Sequence, residues 1–352
     1  MASTAVAPRH VRIGVDSGGT FTDICIYDVA EGSIHVWKVS STPADPSIGI
    51  ADGIAQGIAS LGIASENTIA GESVDVTYLG HGTTVATNAL IVGKGAATGM
   101  ITTAGFRDII ELRRQKRDGL YDVQTEKPRL LVLRHQRLEV NERVLFDGSV
   151  MIPLDEEEVR TAARRLHKDG IRAIAVCCLF SYLEPRHEQR IKEILAEEIP
   201  GAFISVSHEV NPEFREYERF STTVVNAYLG PIMQRYLQRL EPRLEAIGIT
   251  AHPHLTQSNG GVISADTAQQ FPARTVLSGP AAGVMGATTI GTLSGFNNII
   301  TFDMGGNLNG RLADFRRPAA DGERIGGAWL SAEAADAGYP CRGGRRRIHR
   351  FH

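Results

Sequence analysis

Cysteine is scarce in this 352-residue chain: Cys25, Cys177, Cys178 and Cys341 fall in three separate places. Their spacing fits no metal-ligand motif and no disulfide framework. Cys177 and Cys178 lie in an apolar run, where burial in a reducing compartment is the expected fate. An excess of one charge is also missing, because 37 Lys+Arg stand against 40 Asp+Glu for a formal net charge of −3. That balance gives no reason to expect nucleic acid or an anionic membrane as a partner. No apolar run approaches the roughly 20 residues of a membrane span. Met1 to His10 lack the apolar core of a signal peptide, so a cytoplasmic location is expected. Length and a hydrophobic content of 42% suit a globular protein of two or three domains.

Glycine, in contrast, sits where it carries information. Ile13 to Val15 and Ile24 to Tyr27 read as strands, and Gly18-Gly19 between them reads as a tight hairpin turn. Asp16 ends the first strand. Glycines let backbone N–H groups approach an anion, while Thr20 and Thr22 can donate to phosphate oxygens. Asp16 would then stand where hydrated magnesium bridges those phosphates. Taken alone, the stretch is equally an ordinary Gly-Gly hairpin. A second copy, Ile299 to Gly306, repeats strand, Asp303, one residue, Gly305-Gly306. Paired Asp-x-Gly-Gly strand ends resemble the actin, Hsp70 and sugar-kinase superfamily, in which two domains close on ATP.

Between the copies, apolar spacing predicts a helix from Ile48 to Leu61, with Asp45 or Ser47 as its cap, and a strand from Val74 to Leu79. Gly80-His81-Gly82-Thr83-Thr84 then leads into a helix start at Val85, again an anion-binding arrangement. His81 is either a substrate contact or a solvated imidazole at a helix entry. Four basic residues in Arg113 to Arg117 read as a solvated face or the lining of a cleft for an acidic substrate. Arg137 to Val144 alternates as one strand. Asp155 caps a helix through Lys168, with Glu158 placed to complete a capping box. Gly170 ends it and Ala173 to Phe180 returns as a strand, a βαβ rhythm, with a helix from Glu184 to Ile199 and a strand from Ala202 to Ser207 after it. Arg215 to Ile247 reads as helix interrupted at Gly230-Pro231, either as two helices or as one with a kink. Leu277 to Ala287 has small residues at helical spacing.

Together these stretches resemble the A-type subunit of the hydantoinase/oxoprolinase family, which includes N-methylhydantoinase, 5-oxoprolinase and the acetone and acetophenone carboxylases. The resemblance is carried by Gly14 to Asp23, Gly80 to Leu90, Thr102 to Arg107, Arg215 to Arg219, Ser221 to Thr223, Gln257 to Gly261, Leu277 to Gly283 and Phe302 to Gly306. It implies an α/β, actin-like ATPase fold, ATP with Mg2+, and a B-type partner subunit. It also implies ATP-driven activation of a cyclic amide, imide or ketone oxygen. By the same resemblance Asp16 and Asp303 hold the metal, and Gly18, Gly19, Thr20, Thr22, Gly305 and Gly306 hold the phosphates. His81, Thr83 and Thr84 are substrate-side candidates. The domains expected are 11–207, an N-terminal domain, and 208–306, the start of the ATPase domain.

The likeness stops after Gly306. The family continues Gly-Thr-Ser-Thr-Asp-Val, whereas this chain reads Gly306-Asn307-Leu308-Asn309-Gly310-Arg311. Residues 307–352 carry nine arginines, no lysine and no sustained apolar period. Written as GGC AAC CTC AAC GGA CGT CTC GCT GAT, Gly306 to Asp314 yield Gly-Thr-Ser-Thr-Asp-Val-Ser-Leu once a single A is removed from the second codon. A frameshifted, unstructured tail and impaired activity are therefore expected. A sugar-kinase-like phosphotransferase, or a non-catalytic remnant that binds a partner subunit, are the competing readings.

Overall fold

The computed structural model describes residues 9–61, 74–115, 124, 129–296, 298–301 and 313–316. Strands β1 (Arg9–Ser17), β2 (Phe21–Asp28) and β3 (Ile34–Ser40) form an antiparallel meander. Helix α1 (Pro46–Ser60) crosses over, β4 (Val74–Thr83) returns parallel to β1, and α2 (Val85–Val92) follows. The chain then builds β5 (Thr98–Thr103), α3 (Ile109–Leu112), β6 (Arg137–Val140), the small hairpin β7 (Arg143–Val144) and β8 (Val150–Ile152), and α4 (Glu156–Lys168). After these come β9 (Ala173–Cys177), α5 (Arg186–Glu198), β10 (Phe203–Val206) and α6 (Ser207–Val210). A long helix, α7 (Glu216–Ala246), leads back to β11 (Pro253–Thr256), β12 (Val262–Ser264) and α8 (Ala265–Gln270). Last are α9 (Ser278–Leu293) and the pair β13 (Asn298–Thr301) and β14 (Ala313–Arg316).

Two larger sheets result, ordered β12-β11-β4-β1-β2-β3 and β10-β9-β5-β6. In the first, Val11, Ile13, Val15, Ile24 and Ile26 alternate inward against α1, α2 and α7, while Arg12, Gly14, Asp16, Cys25 and Tyr27 face outward. One-sided burial is why these strands alternate. The second sheet is parallel and covered on both faces, by α4 and α5 on one side and α7 on the other. Its strands are correspondingly buried throughout, as in Ala-Ile-Ala-Val-Cys of β9.

Several expectations are resolved or corrected. Of the two readings of Arg215 to Ile247, the single helix is the one found: α7 runs for 31 residues with Pro231 and Pro242 inside it. Pro231 offers no N–H to the carbonyl one turn back. Beside that point Ala96 N–H donates to Tyr228 O at 2.9 Å, anchoring the helix to the approach of β5. Gly230 serves packing, since a Cβ there would lie 2.2 Å from the Phe203 ring. Asp155 caps α4 as expected, accepting from Glu157 N and Glu158 N. The reciprocal half of the box is absent: Asp155 N–H goes to Asn141 O, and the Glu158 carboxylate takes Asn141 N–H instead. Arg137 to Val144 breaks at Asn141-Glu142 into β6 and β7. Packing runs across residue 207: β11 hydrogen-bonds to β4, and α7 contributes to the cores of both sheets. Within the tail expected to be unstructured, Ala313–Arg316 pairs antiparallel with β13; the rest of 307–352 lies outside the described residues.

Candidate active site

Parallel pairing of β1 and β4 brings the carboxyl ends of both strands, and the turns after them, to one edge of the first sheet. Crevices outside such ends are where open α/β sheets take ligands. The register sets Asp16 opposite Gly82 and Ser17 opposite Thr83. Asp16 is exposed, on the face away from the core. A Cβ on Gly82 would lie 3.1 Å from Asp16 Oδ1, so any larger residue would crowd the carboxylate. From the other side, a Cβ on Gly279 in the first turn of α9 would lie 3.8 Å from the same oxygen. The carboxylate thus stands at the amino end of a 16-residue helix that no side chain caps, where the aligned peptide dipoles concentrate positive potential. Ser278 seats that helix on β4: its hydroxyl donates to Thr83 O at 2.8 Å and accepts from Thr83 N at 3.3 Å.

The hairpin between β1 and β2 forms as expected, with Gly18 N–H donating to Phe21 O at 3.0 Å and Gly19 and Thr20 exposed at its tip. Thr22 is different. It is fully buried, and its hydroxyl donates to Ser41 Oγ at 3.0 Å, because Ser41 has committed its own proton to Gly18 O at 2.8 Å. Ser41 N–H also donates to Thr20 O at 2.9 Å. Thr22 therefore braces the turn from beneath and presents no hydroxyl to the outer face.

His81 lies beneath the site, 2% exposed, on the core side of β4. Its Nδ1 is 3.4 Å from Val15 O and its Nε2 meets the Tyr236 hydroxyl of α7. Burial pushes the imidazole down to about 4, against a smaller upward pull from Val15 O, so the ring is neutral at physiological pH. The solvated imidazole expected as one alternative is not found: the ring lies in the core, on the face opposite Asp16. Thr83, also buried, accepts from Val85 N at 3.2 Å. Thr84 lies at the edge of the site and donates to Ser17 O at 3.0 Å.

The structure therefore brings Asp16, Gly18, Gly19, Thr20 and Thr84 together on one edge, with Thr22, His81 and Thr83 behind them. Asp303, Gly305 and Gly306 lie outside the described residues. Three participants were not singled out from sequence. Ser41 follows β3 where the meander returns to the turn, a position the antiparallel register implies once known. Gly279 lies in a stretch noted for its small residues, but its approach to Asp16 depends on a tertiary contact. Tyr236, 155 residues from His81, leaves no local signal. Among the described residues, no group of three or more His, Cys, Asp or Glu is placed to hold a metal ion. A hydrated ion bridged by one carboxylate and a ligand's own oxygens fits the donor set at Asp16. Among the described residues no helix is long and apolar enough to cross a membrane.

Comparison with known proteins matches residues 12–199 to the hydantoinase/oxoprolinase N-terminal region and residues 219–307 to the hydantoinase/oxoprolinase domain that follows it. The chain is 37% identical to caprolactamase subunit alpha of Pseudomonas jessenii over 303 residues, covering 86% of this chain and 43% of the relative. It is 36% identical to the acetophenone carboxylase gamma subunit of Aromatoleum aromaticum, covering 84% and 41%. Among solved structures, the ATP-dependent caprolactamase of Pseudomonas jessenii superposes with a TM-score of 0.75 at 37% identity, over 84% of this chain and 42% of that one. Nucleotide-free acetone carboxylase gives a TM-score of 0.75 at 28% identity, over 85% and 43%. The fold is that of the actin-like ATPases. The chain spans about two fifths of the length of these relatives and about a quarter of that of 5-oxoprolinase 1 of Arabidopsis thaliana, to which it is 31% identical.

Proposed function

This chain belongs to the hydantoinase/oxoprolinase family, and on that premise we propose that its parent activity is ATP-dependent hydrolysis of a cyclic amide or imide, with this chain forming one wall of the phosphate site. The observation that carries the reading is Asp16, held at a strand end between the bare Gly82 and the amino end of α9. Caprolactamase and 5-oxoprolinase among the relatives act on cyclic amides, and caprolactamase is described as ATP-dependent. ATP with magnesium fits the cradle: two glycines leave room above the carboxylate, and the helix end favours negative charge. When bound, ATP supplies a phosphoryl group that turns an amide carbonyl oxygen into part of a good leaving group.

The residues then divide the work. Asp16 would hold a hydrated magnesium ion, and Gly18, Gly19 and Thr20, at the exposed tip, would hold phosphate oxygens. Thr22 and Ser41 fix the curvature of that tip. Thr84 anchors the entry of α2 to the end of β1. Asp303, Gly305 and Gly306 are assigned to the facing hairpin by family resemblance. A B-type subunit is the expected partner, in line with relatives that are themselves named as subunits. A second reading, carboxylation of a ketone, draws on acetone carboxylase at the same TM-score of 0.75. It shares the activated carbonyl oxygen and is separated by a requirement for bicarbonate.

The test is titration of the chain with ATP, with and without magnesium, beside Asp16→Ala. Saturable magnesium-dependent binding is expected for the parent sequence. Loss of one charge-assisted contact of roughly 1.5–3 kcal/mol weakens binding by about tenfold to a hundredfold in the variant. Equal binding by the two proteins would remove Asp16 from the site. Turnover is expected to be low, because Asn307, Leu308 and Asn309 stand where the family has hydroxyls. A panel of lactams, hydantoins and oxoproline then identifies which ring raises the ATPase rate.

A further inference from the structure

The core beneath the site holds a line of polar groups that packing alone does not require. Four residues there are almost fully buried: His81 at 2%, Thr83 at 1%, Tyr236 at 5% and Val15 at 4% exposure. Val85 N–H donates to Thr83 Oγ1 at 3.2 Å, and Thr83 also acts on the Tyr236 hydroxyl, favouring loss of its proton where burial opposes it. Tyr236 in turn has its own proton for His81 Nε2, and the remaining ring proton, on Nδ1, points to Val15 O at 3.4 Å. Two donors thus run in one direction, from Tyr236 on α7 through His81 to the residue before Asp16. A neutral imidazole is necessary for this order, since a cation has no acceptor to offer Tyr236.

We propose that His81 and Tyr236 are positioning residues which hold the turn Gly82–Thr84 and the end of β1 at a fixed separation beneath Asp16. A fixed separation matters because the room beside the Asp16 carboxylate is no larger than the missing side chain of Gly82: a Cβ there would already lie 3.1 Å from Oδ1. Ser278 ties the same turn to α9, so the pair also sets where the helix end meets the carboxylate. A structural role alone would be met by apolar side chains of the same size, which satisfy packing without fixing a hydroxyl or a carbonyl. The link to phosphate binding rests on the site reading given above. The pair's geometry does not, and the two fail separately.

The experiment uses the whole chain labelled with 15N. Long-range 1H–15N correlation on the histidine side chains reads the tautomer directly, and the expected result for His81 is a neutral ring protonated on Nδ1. Hydrogen exchange by mass spectrometry on Tyr236→Phe is expected to speed by at least tenfold in residues 82–88, with α4 and α5 unchanged. An Nε2 tautomer, or a cationic ring at pH 7, overturns the proposal. Exchange that is unaltered at 82–88, or that accelerates equally across the chain, also overturns it, because the pair would then be mere filling. Should Tyr236→Phe fail to fold, the tautomer of the unmodified chain still decides the matter. Magnesium–ATP titration of the variant is a separate arm. Looser exchange with unchanged affinity would keep the positioning role and sink the phosphate assignment.

Discussion

Acid should destabilise this protein through one buried ring. His81 is held at about 4 in the folded chain, from an ordinary value of 6.5, chiefly because burial strips the charged form of water. The depressed value fixes the sign. Below pH 6.5 the unfolded chain binds a proton that the folded chain refuses, so stability is complete above that pH and falls as pH drops towards 4. Each unit across that window is worth about 1.4 kcal/mol. Between pH 7 and pH 5 the accumulated loss from His81 is about 2 kcal/mol, a large share of a typical stability of roughly 5–15 kcal/mol. The assay is urea unfolding of the parent and His81→Asn at both pH values. Asparagine keeps a donor for Val15 O but does not titrate, so exposed carboxylates and other histidines cancel between the two proteins. The parent should lose about 2 kcal/mol more than the variant over the interval. Parallel pH dependences would refute the argument, showing that the ring is hydrated or charged in the folded state.

Other outcomes follow from particular contacts. Gly230→Ala should destabilise by about 1–3 kcal/mol, because the new methyl meets the Phe203 ring at 2.2 Å. That cost outweighs a helix-propensity gain of roughly 1 kcal/mol, and a stabilised variant in urea unfolding would show that the helix yields freely. A charged alkylating reagent at pH 8 should label Cys25 and spare Cys177 and Cys178, whose thiols are buried and pushed well above their usual range. Peptide mapping reads this, and equal labelling of the three would mean that the second sheet opens in solution.

Much of the first sheet is written in its alternation: Val11, Ile13 and Val15 inward, Arg12, Gly14 and Asp16 outward, with a glycine pair at the turn. The βαβ rhythm closing on Ala173 to Phe180 was similarly legible, because a strand buried on both faces reads as an unbroken apolar run, although the strand itself ends at Cys177. Asp16, the hairpin tip and Thr84 could be placed at the site because glycine-and-hydroxyl turns after strands are local patterns. Hydroxyls misled where burial decides their use. Nothing near Thr22 in sequence says that its oxygen meets Ser41 beneath the turn, and nothing near His81 says that Tyr236 occupies its Nε2. Gly230-Pro231 left open whether one helix or two follow, and the choice of one rests on the packing of α7 against both sheets.

That shared helix has a mechanical consequence. At roughly 1.5 Å per residue, α7 is a rod of about 46 Å. Phe220, Val224 and Ala227 are embedded in one core, and Met233, Tyr236, Leu240 and Leu244 in the other. A force or rotation applied to the second sheet is therefore delivered along a stiff member to Tyr236, directly beneath the carboxyl ends of β1 and β4. The sheets cannot swing as independent bodies without breaking the rod or extracting one set of anchors. Whatever docks against the second sheet acts through a lever that ends one hydroxyl away from His81.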